Sequence, residues 1–116
     1  KGSAHRPTEV YGKQKEVLVK NDTGLRYPRT VQYFKTAESE GKVYHPTQKP
    51  ISLFKYLIET YTEEGDIVLD SCLGAGTTAL AALNCNRGFI GIELDQEYVN
   101  ISKERIKELK IKLDHP

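Results

Sequence analysis

The stretch from Asp66 to Thr78 constrains the fold more than any other part of the chain. An apolar run, Ile67-Val-Leu, leads to a carboxylate at Asp70, and two glycines one residue apart, Gly74 and Gly76, precede a helix-forming segment. This order is typical of a strand, a tight loop and the start of a helix, because glycine lets the backbone turn where a Cβ would obstruct it. The free N–H groups of such a helix start attract anionic groups. The stretch therefore predicts an α/β fold with a ligand-binding loop.

Length and composition narrow the class of protein. The chain has 116 residues, which is enough for one domain or part of one, and it contains no methionine, so we expect it to be a piece of a longer protein. It has no apolar run near the roughly 20 residues that span a bilayer. Its two cysteines, Cys72 and Cys85, lack histidines at ligand spacing. We therefore expect a reduced, cytoplasmic protein with no metal site and no membrane partner.

The two parts of the chain differ in charge and in patterning. Residues 1–50 hold ten basic and five acidic side chains, whereas residues 51–116 hold seven and eleven. A basic first part suits nucleic-acid phosphates, and a solvated surface explains the same residues equally well. Residues 1–44 are weakly patterned, with short strands predicted only at 16–19 and at 30–35, the latter with Val31 and Tyr33 on one face.

The first helix of the second part, residues 45–116, is predicted to begin at Pro50. Proline suits the first position of a helix, where its missing N–H is not needed. Gly65 is predicted to stop this helix in a left-handed conformation. Apolar residues at helical spacing give the helix one packing face: Ile51, Phe54, Leu57, Ile58 and Tyr61.

Two strands and two more helices are predicted after it. Ile67–Leu69 and Phe89–Ile92 are apolar without alternation, as expected for neighbouring parallel strands that are buried on both faces. A helix of small residues, 77–83, joins them by a right-handed crossover. A long helix begins after an N-cap at Asp95 and runs to about residue 113. Its predicted packing side consists of Val99, Ile106, Leu109 and Leu113.

Two carboxylates mark the ends of the predicted strands. Glu93 follows the second strand 17 residues after Gly76, close to the offset of about 20 at which an acidic residue reaches ribose hydroxyls. The string 74–79 also satisfies a dinucleotide fingerprint, but a carboxylate at Asp70 would repel a pyrophosphate and would suit an ammonium or sulfonium group. Asp70 and Glu93 together favour S-adenosylmethionine over NAD as the ligand. The alternative is a plain tight turn with a capping aspartate and a solvated glutamate.

Three motifs resemble those of amino-methylating DNA methyltransferases of the β-class, which act on adenine N6 or cytosine N4. They are His45-Pro-Thr-Gln-Lys-Pro50, the loop from Asp70 to Thr78, and Gly91-Ile-Glu-Leu-Asp95. The resemblance spans roughly residues 26–108, and the order of motifs matches that class. It implies a partial Rossmann-like, doubly wound sheet of the S-adenosylmethionine-dependent methyltransferase type.

The resemblance also implies roles for single residues. Thr47 and Lys49 would hold the methionine carboxylate of the cofactor, Asp70 would face its amino group, and Glu93 would bind its ribose. Cys72 would lie against the cofactor, at a position where the family usually has an aromatic residue. The other implied cofactor-binding residues are Gly74, Gly76 and Thr77 along the path of the cofactor, and Leu94 and Asp95 near the adenine.

The family's catalytic Pro-Pro element is not in this sequence, whose five prolines are all separate. No catalytic residue is therefore assigned, and we expect the chain alone to be inactive. The resemblance implies that residues 45–116 are the cofactor-binding half of a site-specific methyltransferase, with residues 1–44 as the end of its target-recognition region. Restriction-modification is the expected context, and DNA is the expected partner. Arg26, Arg29 and Lys35 are candidates for contacts with DNA phosphates.

Two parallel strands are not stable as an open pair, so we also expect self-association or pairing with the missing half. Three alternatives stay open: a non-catalytic module that binds nucleotide or S-adenosylmethionine, an NAD-binding domain, and an RNA methyltransferase.

Overall fold

The computed structural model describes residue 24 and residues 29–116. Residues 33–116 form one compact unit, and the few described residues before them belong to another. The strand predicted at 16–19 and the DNA-contact candidate Arg26 lie outside the described residues.

The strand predicted over residues 30–35 is wrong. This segment has irregular backbone, and the side chains of Val31 and Tyr33 are 82% and 86% exposed. Alternation of apolar and polar residues stabilises a strand only where a neighbouring strand and a packing face are available. Neither of the two described strands pairs with this segment.

The described residues contain three α-helices, two β-strands and one short 3₁₀ helix. Their order, helix, strand, helix, strand, helix, confirms the prediction for residues 45–116. The elements are the 3₁₀ helix Ala37–Glu40, α1 (Ile51–Tyr61), β1 (Ile67–Asp70), α2 (Thr77–Asn84), β2 (Gly88–Gly91) and α3 (Gln96–Asp114).

The two strands are parallel neighbours, as predicted. Val68 lies opposite Phe89, and Asp70, the last residue of β1, lies opposite Gly91, the last residue of β2. This register brings the carboxyl ends of both strands to the same edge of the sheet, where parallel α/β sheets bind their ligands.

Helix α2 forms the centre of the unit, and its first six residues, 77–82, are all buried. It packs against α1, β2 and α3, since its small side chains allow close approach. Cys85 directly follows it and is a free, buried thiol whose pKa is raised by burial and by its neighbour Glu59. The core cluster is Ile58, Ala81, Ala82 and Cys85, with Ile51, Phe54, Val68 and Phe89 packed around it.

Two details of the prediction for α1 are wrong. Pro50 is the N-cap, with an extended ψ of 142°, and not the first helical residue. The helix can begin at Ile51 because the Glu40 carboxylate accepts hydrogen bonds from the N–H groups of Ile51 and Ser52. The helix also ends at Tyr61, before Gly65. Gly65 has the expected left-handed φ of 89°, but it serves the turn into β1 instead.

The predicted burial of both faces of the strands is also wrong for the described chain. Helices α1 and α2 cover the face that carries Val68 and Phe89. The opposite face, here called the open sheet face, consists of Ile67, Leu69 and Ile90, which are 66%, 65% and 54% exposed. Three residues that were predicted to pack in helices are exposed as well: Leu57, Tyr61 and Leu113.

Candidate functional site

A cavity of about 260 Å³ lies at the carboxyl ends of β1 and β2. The segment before α1, the loop between β1 and α2, and the residue that follows Ile92 contribute its walls. The lining residues are His45, Thr47, Gln48, Lys49, Phe54, Asp70, Cys72, Leu73, Gly74, Ala75, Thr77 and Glu93.

The glycine loop turns through two left-handed residues. Gly74 has a φ of 56° and Gly76 has a φ of 87°, a region that residues with a Cβ avoid. Gly76 is the N-cap of α2. A Cβ built on Gly76 would lie 3.0 Å from the Cβ of Ser102 in α3. The second glycine is therefore required both by the turn and by the close approach of α3.

Asp70 stabilises the loop that follows it. Its Oδ1 accepts a hydrogen bond from the Cys72 N–H at 2.9 Å, and its Oδ2 accepts one from the Thr78 hydroxyl at 2.5 Å. An ionised carboxylate offers about four acceptor positions, so each oxygen of Asp70 keeps one more for a ligand.

Glu93 connects the ends of the two strands. Its Oε2 accepts a hydrogen bond from the Gly74 N–H at 2.7 Å, and its Oε1 accepts one from the Asp95 N–H at 3.0 Å. These two backbone donors, that of Asp95 most strongly, lower the pKa of the Glu93 carboxyl below its usual value. Glu93 is therefore held as an anion at the mouth of the glycine loop.

The segment from Tyr44 to Lys49 folds into a compact turn beside the loop. The His45 Nδ1 accepts a hydrogen bond from the Thr47 N–H at 3.1 Å, and the Gln48 Oε1 accepts one from the Tyr44 N–H at 2.9 Å. This turn brings Thr47 and Lys49 to the same cavity as Asp70 and Glu93.

Seven of the ten residues predicted to bind a cofactor line this one cavity; the other three do not. Gly76 lies behind the loop as the cap of α2. The Leu94 side chain is 99% exposed. Asp95 caps α3, where its Oδ1 accepts a hydrogen bond from the Glu97 N–H at 2.8 Å. The seven lining residues are Thr47, Lys49, Asp70, Cys72, Gly74, Thr77 and Glu93.

Five lining residues were not predicted. His45 and Gln48 belong to the hexapeptide 45–50, so the sequence did contain a signal for them. The sequence predicts Phe54 only as a packing residue of α1, and in the structure it both packs against the core and lines the cavity. Leu73 and Ala75 lie inside the glycine loop, where no feature of the sequence distinguishes them.

Two of the three residues predicted to contact DNA, Arg29 and Lys35, lie within the described residues. Arg29 and Lys35 are both exposed, as a contact with phosphates or a solvated surface would require. Within the described part of the chain, no cluster of His, Cys, Asp and Glu has a geometry that could hold a metal ion. None of the described helices is long and apolar enough to cross a membrane.

Similar sequences are DNA methyltransferases. A family model described as DNA methylase, N6_N4_Mtase, matches residues 5–104. The type II methyltransferase M.HindIII of Haemophilus influenzae is 50% identical over 68 residues, which are 59% of this chain and 22% of that protein. The chain spans about a fifth of the length of the curated relatives that it matches.

Similar solved structures agree with this result. The M1.HpyAVI–SAM complex is 46% identical with a TM-score of 0.52, over 54% of this chain and 33% of that one. A protein described as a DNA modification methylase from Thermus thermophilus, complexed with S-adenosyl-L-methionine, is 36% identical with a TM-score of 0.51, over 53% and 26%. The predicted fold class, part of the α/β sheet of such methyltransferases, is thereby confirmed. The chain belongs to the DNA methylase family of N6- and N4-directed methyltransferases.

Proposed function

We propose that the cavity binds S-adenosylmethionine, and that the chain is the cofactor-binding portion of a site-specific DNA methyltransferase acting on adenine N6 or cytosine N4. One observation carries this proposal. Asp70 and Glu93, at the ends of two adjacent parallel strands, line the same cavity with a left-handed glycine loop between them. The two similar solved complexes that contain the cofactor support it.

The residues in the cavity fit the charge pattern of the cofactor. Two carboxylates favour its ammonium and sulfonium groups, and the ammonium group of Lys49 suits its carboxylate. The cavity volume of about 260 Å³ is slightly below the usual range for ligand pockets, roughly 300 to 1,000 Å³. NAD fits less well, because its pyrophosphate would approach Asp70. The chemistry that S-adenosylmethionine supplies is a methyl group on a positively charged sulfur.

Each cavity residue takes the role that its chemistry allows. Glu93 accepts hydrogen bonds from the ribose hydroxyls, and Asp70 accepts them from the amino group of the cofactor. Thr47 and Lys49 bind its carboxylate, and Cys72 packs against it. Of the other proposed contacts, Gly74 and Thr77 line the cavity along the cofactor. Gly76, behind the loop, is proposed to shape its path, and Leu94 and Asp95, beyond the cavity lining, are proposed to lie near the adenine.

DNA is the proposed substrate, since the family and the type II relatives are DNA methylases. Arg29 and Lys35 are proposed to contact its phosphates. The sequence has no Pro-Pro element, so the chain alone is expected to transfer no methyl group. The open sheet face is proposed to pair with a second copy or with the rest of the methyltransferase sheet. A cytoplasmic location and a restriction-modification context complete the proposal.

Calorimetric titration of the chain with S-adenosylmethionine and with NAD tests the cofactor assignment. We expect S-adenosylmethionine to bind more tightly. We expect the Glu93→Gln variant to lose about ten- to a hundredfold in affinity, the loss expected for a charge-assisted hydrogen bond. Glu104→Gln, an exposed neutralisation on α3, is the matched control and should change nothing. Tighter binding of NAD, or no binding of S-adenosylmethionine, would overturn the proposal.

A further inference from the structure

One face of α3 contacts both walls of the cavity without lining it. Tyr98, Ser102 and Arg105 follow each other at spacings of four and three residues, so they lie in a row on the helix. Tyr98 packs against the His45 ring in a tilted arrangement, with 4.5 Å between ring centroids. The other two side chains of the row bind backbone carbonyl groups of the glycine loop.

Ser102 fixes the first of these carbonyl groups. Its side chain is buried, and its hydroxyl lies 2.9 Å from the Gly74 carbonyl oxygen and 2.8 Å from that of Tyr98. In a trans peptide the N–H points away from the C=O of the same unit. Holding the Gly74 carbonyl towards α3 therefore turns the N–H of Ala75 away from α3.

Arg105 fixes the second carbonyl group and also reaches the other wall. Its Nη1 donates a hydrogen bond to the Ala75 carbonyl oxygen at 2.6 Å. Its guanidinium group lies over the Tyr44 ring, 5.2 Å from the centroid, which is a cation–π geometry. Tyr44 is the first residue of the turn that carries Thr47 and Lys49. One half-buried cation thus joins the glycine loop to that turn.

We infer that Arg105 is a positioning residue for the cofactor, because it fastens the turn that carries Thr47 and Lys49 to the glycine loop. The inference rests on the proposed function of the cavity. Loss of Arg105 should therefore weaken binding of one part of the cofactor more than binding of the other. The methionine part of the cofactor needs both walls, whereas the ribose is bound by Glu93, whose own hydrogen bonds come from Gly74 and Asp95 and not from Arg105.

The test compares the affinities of two probes, S-adenosylmethionine and adenosine, for variants of the chain by calorimetry. We expect Arg105→Met to weaken binding of S-adenosylmethionine by about tenfold, the loss expected for a charged hydrogen bond, and binding of adenosine by less than about twofold. Arg105→Lys keeps a cation over Tyr44 and a donor for Ala75, so it should restore most of the affinity.

Lys107→Met is the matched control, since it removes an exposed positive charge from the same helix. It should leave both affinities unchanged. A thermal melt of each variant sets a titration temperature at which all of them are folded. If Arg105→Met does not fold, Tyr44→Leu takes its place, because it removes the ring and leaves the hydrogen bond to Ala75 in place.

The outcomes separate the inference from the proposed function. Failure of the wild-type chain to bind S-adenosylmethionine would overturn the function itself. Binding by the wild type, combined with equal losses of both probes in Arg105→Met or Tyr44→Leu, would overturn the inference, because a general structural defect does not distinguish the two ligands. Unchanged affinities would overturn it as well.

Discussion

Gly76 is required both for its left-handed backbone and for the close approach of α3. Comparison with Gly65 allows the two effects to be measured separately. Gly65 and Gly76 have nearly the same left-handed φ, 89° and 87°. A Cβ at Gly65 would meet nothing within 4 Å, whereas one at Gly76 would meet Ser102 at 3.0 Å. We expect Gly65→Ala to lower the free energy of unfolding by about 1–2 kcal/mol, the left-handed strain alone.

Gly76→Ala should lower it by about 1–3 kcal/mol more, because α3 must move away from the loop. Urea denaturation of the two variants gives the difference directly. Equal losses would contradict the close contact between the loop and α3.

The lowered pKa of Glu93 gives the stability of the chain a defined dependence on pH. The carboxyl is more acidic in the folded chain than its usual value of about 4.5. Its stabilising contribution is therefore fully present above about pH 4.5 and is lost as the pH falls through the folded-state pKa. We expect the difference in unfolding midpoint between the wild type and Glu93→Gln to shrink over that interval.

Urea denaturation of both proteins between neutral and acidic pH measures this effect. Ser71→Ala, an exposed neutral substitution in the same loop, controls for general effects of mutation. A difference that is constant over the whole interval would contradict the assigned hydrogen bonds of Glu93.

At the level of elements, α1 begins with help from a residue outside the helix. The Glu40 carboxylate accepts hydrogen bonds from the N–H groups of Ile51 and Ser52 at 2.5 and 2.9 Å. Burial raises the pKa of Glu40, but these donors, the Ser52 hydroxyl and the charge of Arg105 outweigh it and leave the pKa lowered. We expect Glu40→Ala to lower the free energy of unfolding by about 1 kcal/mol at neutral pH, as for the loss of a helix cap.

Glu38→Ala removes a charge of the same sign from the same 3₁₀ helix and is the control for that variant. Thermal unfolding should separate the two variants by several degrees. Equal melting temperatures would show that Glu40 does not cap α1.

The order of elements could be predicted, whereas the contacts between them could not. Helical spacing around Ile58 and the apolar runs of β1 and β2 are local signals, so the five elements followed from the sequence. The capping of α1 by Glu40 joins residues eleven positions apart and has no periodic signal. The strand predicted over residues 30–35 failed because alternation describes a tendency and does not supply a partner strand.

Some residues of the site could likewise be predicted from the sequence, and others could not. Asp70, Glu93 and the glycines could be found because their chemistry is unusual for their position. Leu73 and Ala75 line the cavity only because the loop folds as it does. Arg105 was not identified from the sequence, since nothing in a regular helix distinguishes it from neighbouring cations.

At the scale of the whole molecule, the open sheet face predicts association. Ile67, Leu69 and Ile90 lie together on one face of the sheet and are more than half exposed. Burial of such a surface is favourable by about 25 cal/mol per Å² of apolar area. We expect light scattering at micromolar concentration to give a mass above the 13.1 kDa of one chain.

Leu69→Lys should return the chain to that mass, because a charge cannot be buried in the contact without a partner. Leu57→Lys, on an exposed position of α1, should not. A wild-type chain that scatters as a monomer would contradict the prediction.

The two free cysteines differ in burial, and this difference allows ligand binding to be followed by labelling of one of them. Cys72 is exposed at the wall of the cavity, whereas Cys85 is buried in the core with a raised pKa. A thiol-reactive fluorophore will therefore attach at Cys72 and leave Cys85 untouched, since the thiolate is the reactive form. A ligand in the cavity should therefore slow the labelling of Cys72. Binding can be measured in this way without introducing a cysteine by mutation.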